Sequence, residues 1–268
     1  MDLFHFSFES HRYAALMKTH SLRLLAWVIL ASCIGCGTEE PLTAKIVSGK
    51  STPISNDMPQ DQDVSKLIVP YLEELHASMD ATIGRAETTI GRSSPESPLG
   101  NLVADALLSH AQHIDDDVVD LSVVNNGGIR LPAIQQGEIS VADIYQLIPF
   151  DNRVVILTLK GDQVMTLVRR LAEKQGEPMA GISYRMNRDG SQLSDVRVCG
   201  QDLNPLQNYR VATVDSLASI GGEFEILGQA AQRQESNDFL RDAVINYIKE
   251  KKNIRPIIDG RVSYEREQ

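Results

Sequence analysis

Cysteine is scarce in this chain, with three in 268 residues, and none sits in the paired CxxC or Cys/His spacing of a structural zinc site. A disulfide scaffold is excluded, because three cysteines cannot hold together a body of this size. Glycine and proline, at 18 and 11 residues, are too few for a collagen-like or low-complexity chain. Cationic side chains are in deficit: 26 Lys and Arg against 36 Asp and Glu leave a net charge of −10, which repels a phosphate backbone and argues against nucleic-acid binding. No apolar run reaches the roughly 20 residues that a membrane-spanning helix needs. The GxSxG elbow, the GxxxxGK[ST] loop and the GxGxxG turn are all missing, which removes the serine-hydrolase, P-loop and dinucleotide-fold readings.

What remains is 42% hydrophobic and 23% charged, a composition that folds. The N-terminus reads as an address. Leu24 to Ala31 is a short apolar run preceded by Lys18, His20 and Arg23, the pattern of an export signal, and Leu30-Ala31-Ser32-Cys33 has the form of a bacterial lipobox. On this reading Met17 is the start, residues 1–32 are removed, and Cys33 carries the acyl chains. A match ending at Cys36 fits less well, and the alternative is a buried N-terminal helix around Trp27. Residues 33–63 form an anchored tether, rich in Thr, Ser, Pro, Asp and Gln from Gly37 to Asp63 and without a sustained period. Residues 64–268 form the globular body. Cys199 is read as an apolar filler, with a Cys36–Cys199 disulfide as the alternative.

In the body, Leu67, Ile68, Tyr71, Leu72 and Leu75 recur at helical spacing over 64–79, followed by a β-prone stretch from Ala81 to Ile90. Ser97-Pro98 opens a second helix whose Leu99, Leu102, Val103, Ala106 and Leu107 share a face. Val118 to Val124 reads as a strand, Ser140 as the cap of a short helix to Ile148, and Val154 to Leu159 as a strand buried on both faces. A helix with Val164, Leu167, Val168 and Leu171 follows Gly161. Strands are predicted over Ile182–Asn187, Leu193–Cys199 and Tyr209–Val214, with a last helix capped by Asn237 and a terminal strand near Val262. Interleaved helices and strands of this kind predict an α+β (α/β-like) fold, a mixed sheet covered by helices.

The sharpest local signal is Val123-Val124-Asn125-Asn126-Gly127-Gly128-Ile129-Arg130, a strand running into paired glycines and an arginine. Such glycines can offer backbone N–H groups to an anion, and Arg130 a bidentate grip on phosphate or carboxylate; a plain strand-turn is the competing reading. Ile148-Pro149-Phe150-Asp151-Asn152 sets an aromatic beside an amide suited to a heterocycle, although Phe150 taken alone reads as a core residue. Gly221-Gly222-Glu223 is a further turn. His110 and His113 share a helix face near Asp115, Asp116 and Asp117, but HxxH is not HExxH, and a solvated helix end accounts for them.

Taken in order, Ser97-Pro98-Leu99-Gly100-Asn101-Leu102-Val103-Ala104-Asp105-Ala106, Asn125 to Arg130, Leu147-Ile148-Pro149-Phe150, Leu159-Lys160-Gly161, Ala180-Gly181-Ile182, and Tyr209 to Thr213 ending at Gly221-Gly222 resemble the C-terminal domain of 5'-nucleotidases, over about Val64 to Tyr264. The resemblance implies a nucleotide-recognition domain whose hydrolysis belongs to a separate metallophosphatase domain holding two metals. It implies that Asn125, Gly127, Gly128 and Arg130 form the phosphate loop and that Phe150 is the first of two aromatics around the base. Asn152 and Gly181 would lie near the base, and Gly221, Gly222 and Glu223 at the ribose. Where the family has its second aromatic, this chain has Ser216 or Leu217; Glu223 stands for Asp, Ile220 is an insertion, and Pro95 stands where another phosphate arginine is expected, with Arg92 nearest. No DxH, GNH[DE] or GHxH motif is present, so no catalytic residue, metal or cofactor is assigned to this chain. The expected partners are a nucleotide or nucleoside, a separately encoded metallophosphatase and, through the acyl anchor, the periplasmic side of a bacterial envelope membrane. The alternatives are a non-catalytic nucleotide-binding lipoprotein and a degenerate envelope interaction module.

Overall fold

The computed structural model describes residues 53, 55, 58, 59, 61–115, 117–219 and 224–265. The chain divides into two units at Gln60 and Asp61, and the second carries every element below. The signal segment, Cys33, Cys36, most of the tether, and Ile220 to Glu223 lie outside the described residues.

Helix α1 (Gln62–Met79) is capped by the Asp61 carboxylate, which accepts from the amides of Asp63 and Val64. It contributes no buried residue, and its apolar stripe, Leu67 and Tyr71 foremost, faces outward. Strands β1 (Thr82–Ala86) and β2 (Ile90–Gly91) replace the single β-prone stretch. Helix α2 (Pro98–Ile114) starts at Ser97, whose hydroxyl accepts from Gly100 N at 3.1 Å, with Pro98 in the first turn where its missing N–H costs nothing. Leu99, Leu102, Val103, Ala106 and Leu107, the face expected from spacing, are all buried.

Strand β3 (Leu121–Val123) is shorter than its sequence signal and leads into a 3-10 turn, Asn126–Gly128. The small strands β4 (Ala133–Ile134) and β5 (Gly137–Ser140) precede α3 (Val141–Leu147), which is closed by a Ser140–Asp143 capping box. Strand β6 (Arg153–Lys160) is central, with Val154, Val155, Ile156, Leu157 and Leu159 buried, as its apolar run predicts. Helix α4 (Gly161–Glu173) follows and buries Val164, Leu167, Val168 and Leu171. Then come β7 (Met179–Ala180), β8 (Ile182–Met186), β9 (Leu193–Val198), β10 (Gln201–Asp202) and β11 (Asn208–Val214).

The sequence reading missed β12 (Gln232–Phe239) because every residue from Gln232 to Asp238 is polar. As the edge strand it needs hydrogen bonds from β6 and no apolar face, and its charges protect the edge. Asn237 therefore caps nothing; it accepts from Arg153 Nη1 at 3.0 Å, and α5 (Leu240–Lys251) begins after Phe239 with no side-chain cap. Strands β13 (Asn253–Ile254) and β14 (Val262–Tyr264) close the chain.

The main sheet runs β12-β6-β11-β3-β7. Strands β3 and β11 are parallel, while β6, β12 and β7 each oppose a neighbour. Helix α2 packs on β3, β7 and β11 and also on α5, while α4 packs on β6, β11 and β9. Smaller sheets, β13-β1-β5 and β10-β9-β8-β14, complete an α+β body of mixed sheets covered by helices. Cys199 is not a buried filler: it is exposed at a positive φ of 50°, with its thiol 3.3 Å from the Asp120 carbonyl. Its pairing with Cys36 falls outside the described residues.

Candidate functional site

Strand directions decide which loops meet. Because β3 and β11 are parallel and β6 pairs Val154 with Val214, the ends of β3 and β11 and the start of β6 come to one end of the sheet. The start of β7, pairing Met179 with Val123, and the end of β12, pairing Phe239 with Arg153, arrive there too. So the segments Asn125–Arg130, Phe150–Asn152 and 215–219 share one rim although they are 20 and 63 positions apart in sequence.

At the end of β3 the Asn125 side chain lies over the paired glycines. A Cβ on Gly127 would sit 3.2 Å from Asn125 Nδ2, and one on Gly128 3.1 Å from its Oδ1, so a side chain at either position would press the Asn125 amide out of this place by a few tenths of an ångström. The expected amide cradle is largely closed, however. Gly128 N–H donates to Asn125 O, Ile129 N–H to Asn126 O, Arg130 N–H to Leu147 O at 2.8 Å, and Asn126 N–H to the buried Glu177 carboxylate at 2.6 Å. Its carbonyls instead collect guanidinium groups: Arg92 Nη2 donates to Asn126 O at 3.2 Å and Arg130 Nη1 to Gly127 O at 3.3 Å. Two exposed arginines thus flank the loop, and Arg92, the arginine nearest to the expected position that Pro95 occupies, is the one that reaches it. The segment holding Arg92 is braced from below, since Asn126 Nδ2 donates to Gly176 O and Ser94 Oγ to Gln175 O.

Phe150 is 40% exposed, which removes the core reading, and the Arg130 guanidinium carbon lies 5.7 Å from its ring centroid. An exposed aromatic ring with one guanidinium over it, and a second on the adjoining loop, is an arrangement that can stack a planar heterocycle and pair with an anion attached to it. Asn152 is half-buried in the same loop, and its carbonyl accepts from Leu240 N–H at 3.0 Å. Among the described residues no second ring comes from the positions expected after β11: Leu217 is buried in the core and Ser216 is exposed. Gly221, Gly222 and Glu223 lie outside the described residues.

Gly181 is not brought to this rim. The register Ser122 with Ala180 places it beside Leu121, at the start of β3, whereas Asn125 leaves the other end. Its glycine requirement is conformational: φ is +73°, and a Cβ would lie 2.1 Å from Asp120 O. His110 Nε2 donates to Asp238 Oδ2 at 3.1 Å and His113 contacts Ser109 O, so the pair is engaged separately. Among the described residues no group of three or more His, Cys, Asp or Glu side chains is arranged to hold a metal. Sequence reasoning also missed Arg241, a nearly buried side chain that donates to Asp151 Oδ1 at 2.8 Å from 90 positions away.

The model of the family described as 5'-nucleotidase, C-terminal domain, matches residues 81–229. Protein UshA of Yersinia enterocolitica is 28% identical over 174 residues, covering 63% of this chain and 31% of that protein. A 5'-nucleotidase-related protein of Glossina morsitans morsitans is 25% identical over 249 residues, 82% of this chain and 45% of its own length. Among solved structures, the 5'-nucleotidase precursor of Thermus thermophilus superposes with a TM-score of 0.65 at 25% identity, covering 78% of this chain and 44% of that one. The chain therefore spans less than half the length of these relatives.

Proposed function

Because the chain belongs to the 5'-nucleotidase C-terminal domain family, we propose that its body is a nucleotide-recognition domain that holds a nucleotide or nucleoside on the Phe150 face, with phosphate paired to Arg130 and Arg92. The observation that carries this reading is the convergence of Phe150, Arg130 and Arg92 on one sheet rim, with Arg130 5.7 Å from the ring. Recognition of phosphate is here guanidinium-led, since the amides of Asn126, Gly128, Ile129 and Arg130 are engaged internally. One ring in place of two gives a single stack, weaker by about 1–3 kcal/mol per lost aromatic contact.

We assign hydrolysis to a metallophosphatase unit outside residues 1–268, which carry none of the DxH, GNH[DE] or GHxH motifs that would hold two metals, and propose that this unit is a separately encoded partner. The lipobox at Cys33 supports a role for the pair on the periplasmic side of an envelope membrane, in nucleotide catabolism. Calorimetry with AMP and adenosine tests the binding half. Arg130→Ala is expected to weaken AMP about tenfold or more while changing adenosine less than about twofold, and equal losses would remove Arg130 from the phosphate site. The catalytic half is tested by phosphate release. The chain alone should leave AMP intact and should raise the turnover of a metallophosphatase lacking such a domain; chelator-sensitive release by the purified chain alone overturns it.

A further inference from the structure

Asp151 stands between Phe150 and Asn152, and nothing so far has given it a task. Its side chain is 73% exposed, yet one carboxylate oxygen is fixed by Arg241 Nη2 at 2.8 Å. Arg241 is itself expensive to place. Its side chain is only 9% exposed, and it sits in the first turn of α5, where the helix dipole disfavours a cation. Its Nε is buried with no partner among the described residues, and its guanidinium carbon lies 4.0 Å from the Tyr145 ring centroid and 5.9 Å from that of Phe239. A solvent-facing carboxylate needs no such device to be stable, and a half-satisfied buried arginine is a poor source of stability. What the device accomplishes is orientation: the Tyr145 stack and the Asp151 bond fix the guanidinium plane, and with it the carboxylate of the residue that follows the exposed Phe150.

Resting on the nucleotide reading above, we infer that Asp151, positioned by Arg241, is the specificity-determining residue of the site and selects a base with two adjacent donors on its Watson–Crick edge, which is guanine. A carboxylate only accepts, with about four lone-pair directions, and Arg241 occupies one of them. No donor from the described residues reaches the second oxygen. Guanine offers its ring N1–H and its exocyclic amine side by side. Adenine and cytosine offer one amine next to a ring acceptor, and uracil one N–H between two carbonyls, so each sets an acceptor against the carboxylate and is penalised. Hypoxanthine keeps N1–H without the amine and falls between. Arg241 also neutralises Asp151, so the acid does not repel the phosphate that Arg130 takes.

Calorimetric titration of the full chain with GMP, IMP and AMP tests this. GMP should bind about tenfold or more tighter than AMP, with IMP between, the discrimination that charge-assisted hydrogen bonds give. Asp151→Asn, at an exposed position, should fold and bring the GMP:AMP ratio to within about twofold. Arg241→Lys, which keeps the charge and loses the planar stack, should reduce the same ratio, a change that general loosening of the fold would not produce. A wild-type ratio within twofold, or a ratio unmoved by Asp151→Asn, overturns the inference while leaving nucleotide binding intact. Failure of all three nucleotides to bind overturns the nucleotide reading together with it.

Discussion

At Gly181 a methyl group would be driven to 2.1 Å from the Asp120 carbonyl in a backbone already at φ +73°. Gly181→Ala should therefore destabilise by roughly 3 kcal/mol in urea unfolding, through strain and steric overlap. A variant with unchanged stability but lost nucleotide affinity would instead support the contact near the base that the family resemblance implies. Residues in contiguous motifs are readable in the sequence: Asn125, Arg130 and Phe150 announce themselves by their neighbours, and the structure gathers all three. The closure of the loop amides is not readable, because their acceptors at Leu147 and Glu177 are set by the fold. Arg241 leaves no signal at all, since its meaning depends on an aspartate 90 positions away.

Elements show the same division between pattern and partner. Helical spacing locates α1 and α4 equally well, but a period says only that a face exists, not that anything covers it. Leu67 on α1 is 69% exposed, while Leu167 on α4 is fully buried. The same substitution should then read very differently: Leu167→Ala is expected to cost roughly 2–5 kcal/mol and Leu67→Ala within about 0.5 kcal/mol by chemical denaturation. Similar losses at both sites would mean that α1 is packed in solution. Strand β12 illustrates the converse. Its QRQESND run carries no apolar alternation, so a rule built on burial passes over it and assigns Asn237 to a helix cap when it belongs to that strand.

Over the whole molecule, the mixed sheet and its covering helices follow from strands and helices that alternate in sequence, whereas the ties between distant ends do not. The buried Glu96 carboxylate accepts from Asn101 Nδ2 at 2.7 Å and from the amides of Asp259 and Gly260 at 2.8 and 3.0 Å, joining the segment after Arg92 to the last turn of the chain. Arg261 doubles the tie, bonding Asp105 and Asp259. Hydrogen bonding from Arg261 holds the Asp259 carboxyl below the usual carboxylate range. A depressed native pKa stabilises the fold above the unfolded value, near 3.8, and that contribution fades as pH falls through the native value. From about pH 5 down to about pH 3, the urea midpoint of Asp259→Asn should start lower and fall less steeply than that of the parent chain. Parallel curves would deny Asp259 this role.

The Glu96 clamp also bears on how the protein is made. The loop that presents Arg92 is secured through Glu96 by residues 163 to 166 positions downstream of that glutamate, so a nascent polypeptide emerging from the ribosome cannot settle its ligand-facing rim until Asp259 to Val262 have followed. Maturation of that rim then waits on a distant stretch of the chain, and a message truncated just short of Asp259 would yield a scaffold whose binding end stays open to proteases and chaperones.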